Sequence, residues 1–73
     1  MKFKYYPETD SLYIDLSAKP STDSKEVADG VVIDLDSDGN IVGIDIDHAS
    51  KRVDLEDLSF SKIPFIEKDL SIT

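Results

Sequence analysis

The sequence predicts an α+β fold that is mainly β: a four-stranded antiparallel meander of two hairpins, followed by a short helix and an apolar tail. Apolar and polar residues alternate along paired segments, and turn-forming residues separate the members of each pair. The alternation stops after Ile46, where a helix start is expected. The 73 residues make one domain, 1–73. A domain of this size buries only about 60% of its unfolded surface, so a thin core is expected.

The first hairpin is predicted from alternation on both sides of P-E-T-D, residues 7–10. Proline fixes φ and aspartate bonds its own backbone, so this segment favours a turn. Phe3 and Tyr5 alternate with polar residues before the turn, and Leu12 and Ile14 do so after it. The expected pairs are Lys2 with Asp15, Phe3 with Ile14, and Tyr5 with Leu12.

The second hairpin is predicted around Asp38-Gly39, after residues 17–25, which lack an apolar period and favour a surface connection. Strand three is expected to carry Val27, Val31, Ile33 and Leu35, and strand four Val42, Ile44 and Ile46. A type I′ turn needs positive φ at both central positions, which Asp38-Gly39 tolerates. The expected pairs are Leu35 with Val42, Ile33 with Ile44, Val31 with Ile46, Asp36 with Ile41, Asp34 with Gly43, and Asp45 with Val32.

The chain after Ile46 is expected to cover one face of the sheet. Asp47 is a candidate N-cap for a short helix in residues 47–53, because aspartate accepts from the first amides of a helix. Residues 54–58 either continue that helix or start another turn, and an apolar tail at 60–66 surrounds Pro64. The predicted core is Phe3, Tyr5, Leu12, Ile14, Leu16, Val31, Ile33, Leu35, Val42, Ile44 and Ile46.

The charge balance limits the partners. Sixteen acidic and eight basic residues give a formal net charge of −8, which repels nucleic acids and anionic membrane surfaces. We therefore expect no direct nucleic-acid or membrane binding. The chain has no cysteine, and its first residues lack the apolar segment of a signal peptide. A cytoplasmic location is the simplest expectation.

The aspartates of the second hairpin suggest two different sites. From Asp29 to Asp47 there are six aspartates and no lysine or arginine, so this hairpin is a candidate surface for a basic partner. Asp34, Asp36 and Asp38 also stand at positions 1, 3 and 5 of a pattern like a calcium-binding EF-hand loop. In that pattern, Gly39 stands at position 6 and Asp45 at position 12. The flanking segments alternate as strands rather than helices, which favours a turn over a calcium loop.

Catalytic and cofactor-binding patterns are not recognisable. The single histidine, His48, has Asp47 and Ser50 near it in sequence, but adjacency does not make a catalytic triad. The three glycines suit strands and turns rather than a phosphate-binding loop. Paired aspartates could serve a hydrolase only in an enclosed pocket. No catalytic residue and no cofactor is therefore predicted.

The ordered segments Y-Y-P-E-T-D-S-L-Y-I-D-L-S, V-A-D-G-V-V-I-D-L-D-S-D-G-N-I-V-G-I-D-I and A-S-K-R resemble the family catalogued as domain of unknown function 2283. The resemblance covers about residues 3–53 and leaves 54–73 as a C-terminal extension. It implies a small β-rich protein without an assigned reaction, in a family of which some members are thought to lie beside small toxin-like proteins. Asp45 stands where the family usually has glutamate.

The favoured hypothesis is therefore a non-enzymatic, acidic interaction protein, antitoxin-like in the sense the resemblance implies. Its expected partner is a basic protein, and the candidate partner-binding residues are Asp34, Asp36, Asp45 and Asp47. The alternative is a weak divalent-cation-binding module that uses Asp34, Asp36 and Asp45, with Asp38 as a further cation candidate. A homodimer is also expected, because a short helix and tail cover an apolar sheet face incompletely.

Overall fold

A computed structural model describes residues 1–64 of the chain. The fold is an antiparallel β-sheet with one short helix, as predicted, but the sheet has five strands rather than four. The elements are β1 (Lys2–Tyr6), β2 (Ser11–Asp15), β3 (Asp23–Ala28), β4 (Val31–Leu35), β5 (Ile41–Ile46) and α1 (Ala49–Arg52). Residues 65–73, which include the last two residues of the predicted apolar tail, lie outside the described residues.

The additional strand is β3, which occupies part of the segment predicted to be a surface connection. Asp23 pairs with Leu35, and Lys25 pairs with Ile33. Val27, which was assigned to the same strand as Val31, belongs to β3 instead. Every residue of β3 is exposed, and a register shift between Glu26 and Ala28 interrupts its pairing. An exposed edge strand with a bulge needs no apolar alternation, so the sequence pattern gave no signal for it.

The strand order is β1-β2-β5-β4-β3, so the sheet is not a meander. β2 pairs with β5 rather than with the next strand along the chain, and this pairing sets Leu12 beside Ile46 and Ile14 beside Ile44. The apolar residues of both hairpins therefore form one continuous face. The outer strands are β1, which carries two lysines, and β3, which is bulged, and both features discourage edge-to-edge aggregation.

The first hairpin has the predicted register. Lys2 pairs with Asp15, Phe3 with Ile14 and Tyr5 with Leu12. In the turn, the Thr9 amide donates to the Tyr6 carbonyl at 3.3 Å. Asp10 takes a left-handed conformation with φ 53°, which aspartate adopts more readily than most residues.

The loop between β4 and β5 differs from the predicted type I′ turn. Gly39 has φ 83°, whereas Asp38 does not have positive φ. The Gly39 amide donates to the Asp36 carbonyl at 3.1 Å, and the Asp36 amide donates to the Asn40 carbonyl at 2.9 Å. This pattern is typical of a three-residue hairpin loop that ends in a left-handed glycine.

The longer loop changes the pairing nearest to it. Leu35 pairs with Ile41 across a register shift, so the predicted Leu35–Val42 pair is wrong. The predicted pair of Asp36 with Ile41 is wrong for the same reason. Farther from the loop, the register is as predicted, with the pairs Ile33–Ile44, Val31–Ile46, Asp34–Gly43 and Val32–Asp45.

The core is as thin as the chain length predicts. Val42 is 4% exposed and Ala49 is fully buried, but no large side chain among residues 1–64 is completely buried. Residues 53–60, called the cover below, lie against the apolar face, where the rings of Phe60 and Phe3 meet edge to face at 6.3 Å. A cavity of about 490 Å³ lies between the cover and the sheet.

The helix α1 begins differently from the prediction. Its N-cap is His48, in a left-handed conformation with φ 54°, and His48 makes no side-chain capping bond. Asp47, the predicted N-cap, instead donates its amide to the Gly30 carbonyl at 2.8 Å. The helix is thus attached to the turn between β3 and β4. Across residues 1–64, every helical segment is too short to traverse a bilayer.

Candidate functional site: the acidic face around Tyr13

The polar side of the sheet is organised around Tyr13. Strand pairing places Tyr13 beside Asp45 and Asp15 beside Gly43. The tyrosine ring lies across Gly43, where a Cβ atom would lie 2.6 Å from the tyrosine Cζ. Gly43 therefore provides the space that the ring occupies, since real Cβ atoms do not approach so closely.

Asp34 is held by two hydroxyl groups from neighbouring strands. Tyr13 donates its hydroxyl to Asp34 Oδ2 at 2.8 Å, and Ser24 donates to Oδ1 at 2.7 Å. Each carboxylate oxygen thus accepts a bond from a different strand, β2 or β3. Because bonds to an ionised acceptor are stronger than neutral ones, they fix this carboxylate in place.

Three carboxylates surround the tyrosine on this side of the sheet. The hydrogen bond to Asp34 raises the pKa of Tyr13 to about 12, with further contributions from burial and from the charges of Asp34, Asp15 and Asp45. Tyr13 therefore keeps its proton at neutral pH and acts as a donor. We call the surface formed by Tyr13 and these three aspartates the acidic face.

Asp45 is the least favourably placed of the three carboxylates. Burial raises its pKa first, and the negative charges of Asp47 and Asp34 raise it further. Like charges held together in a folded chain oppose folding when they are ionised. Asp34 and Asp45 therefore lie together on one face, as the sequence predicted, at a cost in stability.

Asp36 does not belong to this face. It is 7% exposed, and its Oδ1 accepts the amides of Asp38 and Asn40, each at 2.9 Å. The bond from Asn40 is the main cause that lowers its pKa. Asp36 thus stabilises its own loop, whereas Asp38 lies exposed at the loop tip. Neither residue joins Asp34 and Asp45 in a common site.

Asp47 and His48 lie at the end of the sheet that carries α1. The Asp47 carboxylate accepts a long bond from the Ser11 hydroxyl at 3.4 Å. His48 is exposed beside it and caps the helix through its backbone. The charge of Asp47 reaches Asp45, so Asp47 borders the acidic face, whereas His48 has no catalytic arrangement with Ser50.

Ser50 is instead bound to the first hairpin through Asp10. Its amide donates to Asp10 Oδ1 at 3.1 Å, and its hydroxyl donates to Oδ2 at 2.8 Å. The Ala49 amide donates to the Asp10 carbonyl at 2.9 Å, and the Tyr5 hydroxyl donates to Oδ1 at 2.7 Å. The bonds from Tyr5 and Ser50 to its carboxylate lower the pKa of Asp10, with Tyr5 as the main cause. Asp10 therefore acts as a distant cap for α1 and attaches the helix to the sheet.

The acidic face holds its charged and hydroxyl groups in fixed positions. Within the part of the chain that the structure describes, no three metal-binding side chains are grouped to hold an ion. Tyr13 is held protonated, and Asp34 already accepts two bonds. The 490 Å³ cavity lies on the opposite, apolar side of the sheet. The arrangement offers fixed negative charge next to a tyrosine, a combination suited to binding a cation-bearing surface.

Three participants were missed at the sequence level: Tyr13, Asp15 and Ser24. Alternation alone places Tyr13 and Asp15 on the polar side of β2. Their proximity to Gly43 and Asp34 depends on the pairing of β2 with β5, which a meander does not contain. Ser24 lies in the strand that was not predicted. The sequence did contain one signal, which is Gly43. A glycine inside a predicted strand often marks a place where another group packs closely against the backbone.

Comparison with known proteins identifies the family but no function. The model of the family described as "Protein of unknown function (DUF2283)" matches residues 2–50, which is more than half of the chain. No curated protein and no solved structure matches the chain. The matched residues include all five strands and the bond partners Asp10 and Ser50. The chain therefore belongs to the DUF2283 family of proteins of unknown function.

Proposed function

We propose that this protein is a non-enzymatic interaction module that binds a basic protein through its acidic face. The observation that carries the proposal is the placement of Asp45, whose pKa is raised by burial and by the neighbouring charges of Asp47 and Asp34. A group that opposes folding needs another reason for its presence, and such departures are expected at functional sites.

The composition supports the same proposal. The formal net charge of −8 raises the rate of encounter with a basic partner. On the polar side of the sheet, β1 contributes Lys2 and Lys4 beside the three aspartates. The surface is therefore basic at the β1 edge and acidic toward β5 and β4. A partner with the complementary arrangement of charges would bind in one orientation. Some members of the family are thought to lie beside small toxin-like proteins, which makes such a protein one candidate for the basic partner.

The test is affinity capture from the native cell with a matched pair of variants. Asp15→Asn with Asp45→Asn removes two charges from the acidic face without touching the bonds of Asp34. Asp54→Asn with Asp57→Asn removes the same charge from the cover, on the other side of the sheet. The wild type and the cover variant should retain a basic protein that the acidic-face variant loses.

Isothermal titration calorimetry with the purified partner then measures how much affinity each variant loses. We expect the acidic-face variant to bind at least about tenfold more weakly, because two interfacial charges are removed. Added salt should weaken the wild-type complex more than the variant complex. Capture of no basic protein, or equal losses for both variants, would contradict the proposal.

A further inference from the structure

The cover lies on only part of the apolar face described by residues 1–64. The cover and the sheet together line an open cavity, to which β1, β2 and the end of β5 contribute Phe3, Leu12 and Ile46. The apolar residues of β4, including Ile33 and Leu35, are half-buried and do not line this cavity. Of β5, Ile46 lines the cavity, whereas Ile44 does not. The face therefore has a raised half, formed by the cover, and a low half, formed by β3, β4 and the part of β5 away from α1.

Both halves expose large apolar side chains. On the cover, Leu55 is 40% exposed and Leu58 is 51% exposed. On the low half, Val27 of β3 is 53% exposed. Exposed apolar side chains that lie near each other on one face are typical of surfaces that bind a partner.

The two halves also carry charged groups that can pair with each other. Lys25 pairs with Ile33, so by register it lies on the apolar face at the outer edge of the low half. Asp54 and Asp57 belong to the cover and line the cavity. Asp23 shares the face with Lys25 but pairs with Leu35, one row farther from α1. A lysine at one edge is thus matched by two aspartates near the other.

We propose that two copies of the chain pack their apolar faces together about a twofold axis parallel to the strands. That axis places the β1 edge of one copy over the β3 edge of the other. The ends of the two sheets that carry α1 lie on the same side of the dimer. The cover of each copy then rests on the low half of its partner copy. Lys25 of one copy meets Asp54 and Asp57 of the other, and the reverse contact follows from the symmetry.

The area available is sufficient for a weak dimer. Three strands, β3 to β5, span about 14 Å by 17 Å, or roughly 240 Å² in projection. The surface of the cover contributes a similar amount, so the two copies together bury about 1,000 Å². This value is at the lower limit for a specific interface, and a dimer that dissociates on dilution is expected.

Sedimentation equilibrium of the full-length chain over a concentration series tests the proposal. We expect a reversible monomer–dimer equilibrium. Leu58→Glu, at an exposed position of the cover, should abolish the dimer while the far-ultraviolet circular dichroism of the sheet stays unchanged. A full-length chain that is monomeric at every concentration would overturn the proposal and leave the low half to residues 65–73 or to another protein.

Charge reversal gives a second readout that does not depend on apolar packing. Lys25→Glu should weaken dimerisation by about tenfold, since it replaces attraction by repulsion in two symmetric contacts. Adding Asp54→Lys and Asp57→Lys to the same chain should restore it. Lys4→Glu, which changes the charge equally on the opposite face, is the control. A loss with Lys4→Glu, or no rescue by the triple variant, would overturn the proposed geometry.

Discussion

The side chain of Tyr13 packs directly against the backbone of Gly43. The ring occupies the space where any other residue at position 43 would place its Cβ atom. The φ angle of Gly43 is not in the left-handed region, so the requirement for glycine is steric rather than conformational. The carboxylate of Asp34 then fixes the position of the ring.

Gly43→Ala is therefore expected to destabilise the fold by about 1–3 kcal/mol, because the ring is displaced and its bond to Asp34 is strained or lost. Chemical denaturation measures the change. In a Tyr13→Ala background, the same Gly43→Ala substitution should cost nothing, since the obstruction is absent. An equal cost in both backgrounds would show that the ring does not impose the glycine.

Asp45→Asn is expected to stabilise the protein at neutral pH. The pKa of Asp45 is raised above 3.8 in the fold, so its ionisation opposes folding, and this cost is present above the folded pKa. The gain is roughly 2 °C in Tm, because a partly exposed charge contributes only a few tenths of a kcal/mol.

The pH dependence supplies the control for Asp45. As the pH falls below 3.8, the carboxyl is protonated in both states and the advantage of asparagine should vanish. Thermal unfolding of the wild type and Asp45→Asn at pH 7 and pH 3 measures both values. A lower Tm of the variant at pH 7 would mean that the carboxylate stabilises the fold, which removes the main support for the proposed function.

At the level of the elements, α1 depends on a residue far away in the sequence. A helix of four residues has almost no stability of its own. Asp10 supplies the acceptors that its first turn lacks, through the carboxylate to Ser50 and through the carbonyl to Ala49. The cover follows α1 directly, so the position of the cover on the sheet also depends on Asp10.

Asp10→Ala should lower Tm by several degrees and accelerate hydrogen exchange of the Ser50 and Val53 amides. Glu8→Ala serves as the control, because it removes an acidic residue from the same turn while Asp10 keeps its bonds to α1. The pKa of Asp10 is lowered below 3.8, so its contribution is complete above the unfolded pKa and is lost as the pH falls through the folded pKa. Unchanged exchange at Ser50 in the variant would refute the capping role.

The sequence was informative wherever pattern and turn chemistry agreed. The first hairpin was predicted residue by residue, because P-E-T-D and the alternation on both sides specify one register. The second was predicted correctly away from its loop, where Ile33 meets Ile44. Near the loop, the side chain of Asp36 accepts hydrogen bonds from the amides of Asp38 and Asn40. Such side-chain bonds compete with strand pairing, and the loop is one residue longer than a count of alternating positions predicts.

The remaining errors concern contacts between distant segments. β3 has no buried residue, so its pairing with β4 leaves no periodic trace. The pairing of β2 with β5 joins segments separated by a long stretch of chain, and local patterns do not distinguish it from a meander. The acidic face was half predicted for this reason: Asp34 and Asp45 lie on it, whereas Tyr13 and Asp15 reach it only through that pairing.

For the whole molecule, stability is expected to decrease from the centre of the sheet to its edges. β5 pairs on both sides, with β2 and β4, whereas β1 and β3 each pair on one side. Amides of β5 should therefore exchange most slowly, at the rate of global unfolding, and those of β1 and β3 should exchange faster. Hydrogen exchange followed by nuclear magnetic resonance measures this order. Slower exchange in β3 than in β5 would contradict the strand order.

The central position of β5 also affects how the protein is made. During synthesis, β1 to β4 leave the ribosome before β5, the strand that joins the pair β1–β2 to the pair β3–β4. Until Ile46 has emerged, the nascent chain holds two separate strand pairs with exposed apolar faces, and isolated hairpins are only marginally stable. A net charge of −8 disfavours association between such chains, so the acidic composition is expected to matter most before β5 has joined the two strand pairs.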